Sequence, residues 1–419
     1  MQLRNFVRQH KWRLRPVKRA VLPLRNLKRA GVALFRKSPV IARSTAEYAG
    51  ASLIAKRRIH PAESVSFPAY PFEMSNGGTR AVASHLLAPT HSTGSGQAPR
   101  RPPARELRQA PALAEPAFIF QLKNIDFWGR YGGSVVTADN CLLADLSPEV
   151  WGIENHPIFS QLRLPKRRQL RGRAAIAVTP EAPGNYYHWL IDLLPRICLI
   201  RSSDGFESFE HFLINGSHAH YEKASLQALC LPPEKISYVD ARDRFQIEEA
   251  TIPSMDHFSK VIASWKVEAL RVMRNSLPRT QDAGLRRLYV SRKRAAVRRI
   301  INESEFENIL RDAGFTAVEL ESCSWVDQVA MFSGAKVVLA PHGAALANTV
   351  FCQPGALLAE INTRVGYRDY YLHLAASSGV RYRFIEAQPR ITTSSSIRAT
   401  ENEDMIVDLN LLQDLLRSL

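Results

Sequence analysis

The segment KVVLAPHGAALANTVFCQPGALLAEI, residues 336–361, combines residue types that suit the binding of an anion. An apolar run leads into the loop Pro-His-Gly-Ala, and a helix of small residues is predicted to begin near Ala344. The N–H groups and the dipole of a helix start favour an anion, and Gly343 lets a ligand approach the backbone closely. His342 can donate a hydrogen bond to a phosphate oxygen. The segment therefore predicts a phosphate site; the alternative is a tight turn whose histidine caps the helix.

Two more polar residues of this segment are candidates for the same site. Asn348 follows Ala344 by four residues, which places both on one face of an α-helix. Glu360 lies near the end of the next apolar run, where its carboxylate can accept hydrogen bonds from sugar or ribose hydroxyls.

A second constellation is RLYVSRKRAAVRRIINESEFENIL, which begins at Arg287. Ser291 and Arg292 follow a predicted strand, and the pair Arg298 and Arg299 comes a few residues later. The planar fork of arginine binds two diphosphate oxygens at once, and the carboxyl end of a strand is where such a group is useful. The alternative is a solvated basic loop.

The third constellation is GNYYHWLIDLLPRI, in which His188 and Asp192 are four residues apart on a predicted helix. Residues at this spacing share a face, and a carboxylate beside an imidazole fixes its tautomer and raises its basicity. This pair can serve as the general base that deprotonates an alcohol. The alternative is a histidine that only makes a hydrogen bond in the core.

Alternating strands and helices are predicted to position these residues. Residues 117–256 begin with hairpin-like alternation and continue as a small doubly wound unit, residues 257–280 predict a bridging helix, and residues 281–390 predict a second parallel unit. Residues 391–419 form a C-terminal tail with helical spacing. Ligands of such folds bind at the carboxyl ends of strands, where all three constellations lie.

The formal charge of +17 is confined to the N-terminal region. Residues 1–110 contain 21 of the 56 Lys and Arg residues but only four of the 39 acidic ones, so residues 111–419 are balanced. This balance disfavours a specific nucleic-acid partner for the globular part. Residues 1–86 are interpreted as a basic extension and residues 87–116 as a linker rich in Pro and Ala. Residues 1–44 mix cations with apolar residues, which suits an anionic membrane surface; an organelle targeting segment and a solvated tail are the alternatives.

Several chemistries find no support in the sequence. It has no Walker loop, no Gly-x-Gly-x-x-Gly opening a helix after a strand, no Gly-x-Ser-x-Gly, no His-Glu-x-x-His and no Asp-x-Asp. The five cysteines are scattered without a Cys-x-x-Cys pair, which favours a reducing compartment, and no apolar run is long enough to cross a membrane. NTP hydrolysis, dehydrogenase and zinc chemistry are therefore not predicted.

Taken in order, three blocks resemble glycosyltransferase family 61: Asn-Tyr-Tyr-His-Trp with Asp192, Tyr-Val-Ser-Arg with the later arginines, and His-Gly-Ala with Asn348 and Glu360. The resemblance covers roughly residues 118–390. It implies a GT-B-like α/β architecture, with two Rossmann-type domains facing a cleft, a β-rich lead-in and the nucleotide-sugar site in the second domain.

The resemblance also implies the chemistry. The expected reaction is an inverting, metal-independent transfer of a sugar to a hydroxyl, with the nucleotide sugar as substrate and no cofactor. The diphosphate is expected to be bound by the residues carried over from the second and third blocks, and the acceptor-side base is expected to be His188 with Asp192. The donor set comprises Ser291, Arg292, Arg298 or Arg299, His342, Gly343, Ala344, Asn348 and Glu360.

Bacterial members of the family are linked to capsule and surface polysaccharide, so the expected acceptor is a glycan or lipid-linked glycan. The expected location is the cytoplasm, at the inner face of the membrane. Two other hypotheses remain at this point. One is a non-catalytic nucleotide-sugar or glycan-binding protein tethered by its basic tail. The other is a Ser/His hydrolase that uses Ser291 and His342, which lacks the expected nucleophile elbow.

Overall fold

The computed structural model describes residues 39–42, 45, 48, 50, 52–65, 112–149, 152–255, 261–278, 284, 286–363, 368–390 and 402–419. Most of the predicted basic extension and most of the predicted linker lie outside these residues. Within them, no helix is long and apolar enough to cross a membrane.

The strands are numbered in chain order. They are β1 Val40–Ala42, β2 Leu53–His60, β3 Glu63–Val65, β4 Ala112–Ala114, β5 Ala117–Trp128, β6 Ser134–Val136, β7 Cys141–Leu143, β8 Arg168–Ala177, β9 His211–Ile214, β10 Ile236–Tyr238, β11 Arg244–Pro253, β12 Arg287–Val290, β13 Thr316–Val318, β14 Val337–Pro341, β15 Leu357–Thr363, β16 Arg381–Pro389 and β17 Met405–Ile406.

The α-helices are likewise numbered in chain order. They are α1 Leu194–Asp204, α2 His220–Ala228, α3 Ser264–Asn275, α4 Glu303–Asp312, α5 Trp325–Gly334, α6 Tyr370–Ser377 and α7 Leu409–Arg417. A π-helical turn, His188–Leu193, leads directly into α1, and a 3₁₀ helix, Ala344–Phe351, follows β14.

The contacts divide the chain into two compact units. The first takes its residues from Met1–Ala62 and Glu115–Ser259, and the second from Glu63–Ala114 and Lys260–Leu419. Both combine helices with parallel strands, so the prediction of the α/β class is confirmed.

The first unit is built on one mixed sheet. Its strands in the described chain follow the order β1-β7-β6-β5-β11-β8-β9-β10, and β2 also pairs with β5. The half that contains β11, β8, β9 and β10 is parallel, whereas β5, β6 and β7 form an antiparallel meander. The meander is the predicted β-rich lead-in, and its inward-facing residues join those of the parallel half in one core.

Strand β2 lies inside the region that the sequence analysis interpreted as extension. It pairs antiparallel with the first half of β5, from Leu53 opposite Leu122 to His60 opposite Ala117. Its sequence, LIAKRRIH, carries three consecutive cations and therefore has no apolar alternation to mark it as a strand. The pairing partner, rather than the local pattern, makes this segment a strand.

The second unit has a sheet of six strands in its described part, in the order β13-β12-β14-β15-β16-β17. Strands β12 to β16 are parallel, and only β17 runs antiparallel. The first strand of this sheet in chain order, β12, is flanked by the next two strands, β13 and β14, so the winding reverses between β12 and β14. Such a reversal is the position at which open α/β sheets bind ligands.

The C-terminal segment belongs to this second unit rather than forming a separate tail. In α7, Leu412 is fully buried and Leu415 nearly so, and both join the core formed by strands β12, β14 and β15. Just before α7, Met405 and Ile406 extend the sheet as β17. Because β17 pairs with β16, the helix that follows it lies against the second unit, and the helically spaced apolar residues of α7 are buried there.

Candidate functional site

The loop after β12 is fixed by hydrogen bonds to a buried carboxylate. Glu303, at the start of α4, is 5% exposed and accepts hydrogen bonds from the hydroxyls of Tyr289 (2.6 Å) and Ser291 (2.7 Å). Burial and the charge of Glu303 raise the pKa of Tyr289, which keeps its hydroxyl protonated as a donor. The Ser291 hydroxyl, which also accepts from the backbone of Lys293, therefore fixes the loop that presents Arg292.

Arg292 is a cation with unfilled hydrogen-bonding capacity. Its Nη2 donates to the carbonyl of Val297 at 3.2 Å, but its buried Nε–H has no hydrogen-bond partner among the described residues. Burial and the neighbouring charge of Arg298 lower the pKa of Arg292. A buried donor without a partner, next to a second guanidinium, is the environment that an anion would complete.

The two arginines at the end of this loop have different surroundings. Arg298 has a φ of 59°, a left-handed conformation that is costly for a residue with a side chain and is often found at functional sites. Arg299 is 46% exposed and forms an ion pair with Asp404, from Nη2 to Oδ2 at 2.6 Å. Of the predicted pair, Arg298 is therefore the one near Arg292, whereas Arg299 anchors the loop to the C-terminal segment.

The loop after β14 places His342 on a buried carboxylate. The Nδ1 atom of His342 lies 2.5 Å from Oε1 of Glu360, and the hydroxyl of Tyr382 donates to Oε2 at 2.8 Å. Glu360 is fully buried. This differs from the expectation that Glu360 faces sugar hydroxyls: β15 points it inward, where both its oxygens orient neighbouring side chains.

Gly343 allows the two loops to meet. A methyl group on Gly343 would overlap Nη1 of Arg292 and lie 3.0 Å from its Cζ, so only a residue without a side chain leaves room for the guanidinium. The carbonyl of Gly343 accepts a hydrogen bond from the buried hydroxyl of Tyr371 at 2.6 Å, and the ring of Tyr371 packs edge-on against His342 at 5.1 Å. Arg292 and the His342–Gly343 loop therefore share one edge of the sheet, at the reversal between β12 and β14.

The helix after this loop is a 3₁₀ helix, which changes the expectation for Asn348. A 3₁₀ helix has three residues per turn, so a residue four positions from Ala344 does not share its face. Asn348 is instead fully buried and donates from Nδ2 to Oε1 of Gln328 on α5, at 3.3 Å. Ala344, at the start of the helix, is half-buried beside the loop.

In the first unit, His188 lies between two carboxylates. Its Nδ1 is 2.6 Å from Oδ2 of Asp192, as the spacing predicts, and its Nε2 is 2.8 Å from Oε2 of Glu181. Burial lowers the pKa of His188, but the hydrogen bonds and charges of the two carboxylates outweigh burial and raise it to about 9. At neutral pH this histidine is therefore an imidazolium.

Arg196 connects the carboxyl ends of β8 and β11 by hydrogen bonds. This residue of α1 is 2% exposed, and its guanidinium donates to the carbonyls of Val178, just after β8, and Pro253, at the end of β11. These two strands are adjacent and parallel, and the winding of the first unit also reverses between them. Glu181, which contacts His188, belongs to the loop that leaves β8, so His188 lies beside that loop, in a position comparable to that of His342 in its own unit.

The family model described as Glycosyltransferase 61 matches residues 186–359. The match begins just before His188 and ends just before Glu360. The match supports glycosyltransferase family 61 as the family that this region resembles. The resemblance inferred from the sequence is thereby confirmed, and the family implies transfer of a sugar from a donor to an acceptor. No curated protein matches the chain.

Sequence reasoning missed the residues that orient the predicted ones. They are Tyr289 and Glu303 inside the matched region, and Glu181, Tyr371, Tyr382 and Asp404 outside it. Glu303 had a usable signal, because it lies in the same charged run as Arg292. Glu181 is seven residues from His188 but outside any helical or strand spacing, and Tyr371, Tyr382 and Asp404 lie 22 or more residues from their partners. In the described residues, no group of three or more His, Cys, Asp or Glu is arranged to hold a metal ion.

Proposed function

We propose that the protein is an inverting, metal-independent glycosyltransferase. It would move a hexosyl or pentosyl group from a nucleotide sugar to a hydroxyl of a surface glycan, such as a capsular or extracellular polysaccharide. The observation that carries the proposal is the packing of Arg292 against Gly343, with a buried Nε–H that lacks a partner among the described residues and a second arginine beside it.

The second unit would bind the donor. As the bond between sugar and diphosphate breaks, negative charge develops on the leaving diphosphate, and fixed cations stabilise that charge without reorganisation. Arg292 and Arg298 would neutralise it, and the backbone N–H groups that begin the helix at Ala344 would add donors. Ser291 and Glu360 would act as positioning residues, since their side chains bond to Glu303 and His342.

His342 would place one more donor on the diphosphate. Because Nδ1–H donates to the carboxylate of Glu360, the ring is held in one orientation. The Nε2–H would then donate to a phosphate oxygen.

The first unit would bind the acceptor and remove its proton. Asp192 holds Nδ1 of His188, so the reacting atom would be Nε2, which Glu181 engages in the structure. The Glu181 side chain is 50% exposed and can move away. Its departure would lower the pKa of His188, so that the imidazolium releases its Nε2 proton to water. An acceptor hydroxyl that takes the place of Glu181 would then transfer its proton to the neutral Nε2 while the hydroxyl oxygen attacks the anomeric carbon from the side opposite the diphosphate and the bond between that carbon and the diphosphate breaks. A single displacement of this kind inverts the anomeric centre.

This division of roles is that of a GT-B-like enzyme, with a donor-binding unit and an acceptor-binding unit. We further propose that residues 1–44 attach the enzyme to an anionic membrane from the cytoplasmic side, where nucleotide sugars and lipid-linked glycans meet. The charge excess in this part of the chain supports that attachment.

One observation favours a second candidate, a binding protein without turnover. A histidine with a pKa of about 9 is already protonated at neutral pH and therefore has no free lone pair to accept a proton. Both of its ring nitrogens are also engaged by carboxylates. In that case the second unit would bind a nucleotide sugar, and the first unit would hold a glycan without reacting.

Ligand-induced stabilisation tests the donor site directly. A thermal-shift screen of the full chain with UDP, GDP, CMP and dTDP should give one nucleotide that raises Tm, because a ligand that binds only the folded state stabilises it by mass action. Transfer or hydrolysis of the matching nucleotide sugars would then separate the enzyme from the binding protein. No stabilisation by any nucleotide would contradict both.

Removal of residues 1–38 tests the membrane role without deleting β2. The shortened chain should keep its nucleotide stabilisation and lose binding to vesicles that contain anionic lipid. Unchanged vesicle binding would contradict the proposed attachment.

A further inference from the structure

The loop that leads into β8 is a strongly basic part of the first unit. Residues 161–168, QLRLPKRR, contain four cations and no acidic residue, and we call this segment the 161–168 loop. It follows the short 3₁₀ helix Pro157–Ser160. All four cations are exposed, namely Arg163, Lys166, Arg167 and Arg168. The positive charge of the loop is therefore available to a partner.

Half of this charge lacks a carboxylate. Two of the cations pair with aspartates of the same unit, Arg167 with Asp126 at 3.6 Å and Arg168 with Asp243. Asp126 is also shared with a further arginine, Arg244. Arg163 and Lys166 form no ion pair with any carboxylate in the described part of the chain. The loop thus presents an excess of positive charge, which an anionic surface can neutralise.

One apolar side chain of the loop is exposed among these cations. Leu162 is 53% exposed, whereas Leu164, two residues later, packs against a core cluster that includes Trp128 and Ile158. An exposed apolar residue flanked by cations suits the boundary between lipid headgroups and acyl chains. The loop has no aromatic residue on which a base could stack, so its composition favours a bilayer over a single-stranded nucleic acid.

The basic N-terminal region enters the first unit next to this loop. Pro39, where the described part of the chain begins, lines the same small cavity as Leu164. Ile41 packs against the same core cluster as Leu164, and Val40 is 64% exposed. Residues 1–38, which contain no acidic residue, therefore join the first unit beside the 161–168 loop.

The 161–168 loop is also connected to the candidate acceptor site of the same unit. Gln161, its first residue, accepts a hydrogen bond from Nη1 of Arg130 at 2.9 Å. The turn that Arg130 begins packs closely on the loop after β8, because a methyl group on Gly132 would lie 2.7 Å from the backbone nitrogen of Pro180. The residue after Pro180 is the glutamate that contacts His188. A membrane that binds the 161–168 loop would therefore lie near the His188 site.

We propose that the 161–168 loop is a second contact of the protein with an anionic membrane, in addition to residues 1–44. A few cations alone bind a bilayer weakly, so the loop would strengthen and orient an attachment that the N-terminal region provides. Resting on the proposed function, this orientation would hold the His188 site at the membrane, where a lipid-linked acceptor is found. The contact itself requires neither donor nor acceptor.

Binding of the full chain to vesicles tests this contact. The double variant Arg163→Ala/Lys166→Ala should lower the affinity for vesicles that contain phosphatidylglycerol about 25-fold, because each cation near the surface contributes about fivefold. High salt should reduce this difference. Tm should stay unchanged, since both side chains are exposed and unpaired among the described carboxylates. Leu162→Ser should weaken vesicle binding as well, without a change of charge.

The matched control is Arg311→Ala/Lys336→Ala. Both residues are exposed in the second unit, and the change removes the same net charge, so vesicle affinity should stay unaltered. Hydrogen exchange gives a reading that needs no substitution. The backbone amides of residues 161–167 should exchange more slowly with anionic vesicles than with neutral phosphatidylcholine vesicles.

Equal vesicle affinity of the wild type and the Arg163→Ala/Lys166→Ala variant would overturn the proposal. So would an equal loss in the control variant, or loop amides that anionic vesicles do not protect. A loop variant that loses binding to single-stranded RNA but not to vesicles would assign the loop to a nucleic acid instead. Nucleotide stabilisation is measured separately, so failure of this contact does not imply failure of the donor site.

Discussion

His188 and His342 occupy comparable positions in the two units, yet their surroundings differ. Each lies beside a loop at the carboxyl end of a parallel strand, where the winding of its sheet reverses. His188 has an exposed carboxylate on one nitrogen and a half-buried one on the other, whereas His342 has one fully buried carboxylate and two arginines nearby. The same topology therefore presents a histidine between two carboxylates in one unit and between a buried carboxylate and nearby arginines in the other. Topology fixes where chemistry can occur, and the neighbouring charges decide which chemistry.

The largest effect is expected from removing an arginine beside the His342–Gly343 loop. Arg292→Ala should lower kcat/KM about 1,000-fold and reduce nucleotide stabilisation, because one preorganised charged donor to a developing anion contributes on that scale. Arg294→Ala is the control from the same loop, since Arg294 is 65% exposed and pairs with Glu319. If Arg292→Ala and His342→Ala both keep wild-type rates, the donor site is assigned to the wrong residues.

The next effect should separate the two histidines by the step they serve. His188→Gln should lower kcat about 100-fold while leaving nucleotide affinity unchanged, because a general base contributes to the chemical step only. His342→Gln should weaken nucleotide binding as well. Isothermal calorimetry measures the nucleotide affinity of both variants, and steady-state kinetics measures their kcat. Identical changes in affinity and in kcat would contradict the proposed division of roles between the two units.

A smaller effect tests the packing of Arg292 on the backbone. Gly343→Ala should weaken nucleotide binding about tenfold, because the added methyl group displaces the guanidinium. The double variant with Arg292→Ala should bind no more weakly than Arg292→Ala alone, since residues in contact do not act additively. Additive losses measured by calorimetry would show that Gly343 acts on something other than Arg292.

The smallest effect concerns the pH dependence of activity and the carboxylates that flank His188. Glu181 raises the pKa of His188, so Glu181→Gln should lower that pKa from about 9 toward the ordinary 6.5. Because the deprotonated ring is the proposed base, the rising limb of the kcat–pH profile should move to lower pH. Activity at neutral pH should then increase a few-fold. A limb that stays in place would indicate that another group accepts the proton.

Much of the fold and of the candidate site was predictable from sequence, for a physical reason. The apolar runs that became β8, β12, β14 and β15 are buried strands, and their loops carry His342 and Arg292 immediately after the strand. The i,i+4 spacing also placed His188 beside Asp192. These inferences use residues that are neighbours in sequence, where local geometry limits the alternatives.

The rest depended on contacts between distant segments. Glu181 contacts His188 across a turn, whereas Tyr371 and Asp404 contact Gly343 and Arg299 from other parts of the chain. No local sequence pattern marks these contacts. The 3₁₀ helix after β14 also changed the expected face of Asn348, because short helices adopt this tighter form when packing requires it. Predictions based on α-helical spacing are therefore weakest in helices of two or three turns.

The C-terminal strand β17 has a consequence for how the proposed donor loop can be disturbed. Asp404 binds the side chain of Arg299, the backbone of Met405 pairs with Arg299 and Ile301, and the backbone of Val407 exchanges hydrogen bonds with the Asn302 side chain. The last residues of the chain thus act as a strap across the loop that presents the arginines. A protease that cuts within residues 391–401 would break the covalent link between this strap and β16, so the anchoring of the proposed donor loop would depend on non-covalent contacts alone while every candidate site residue remained in the protein.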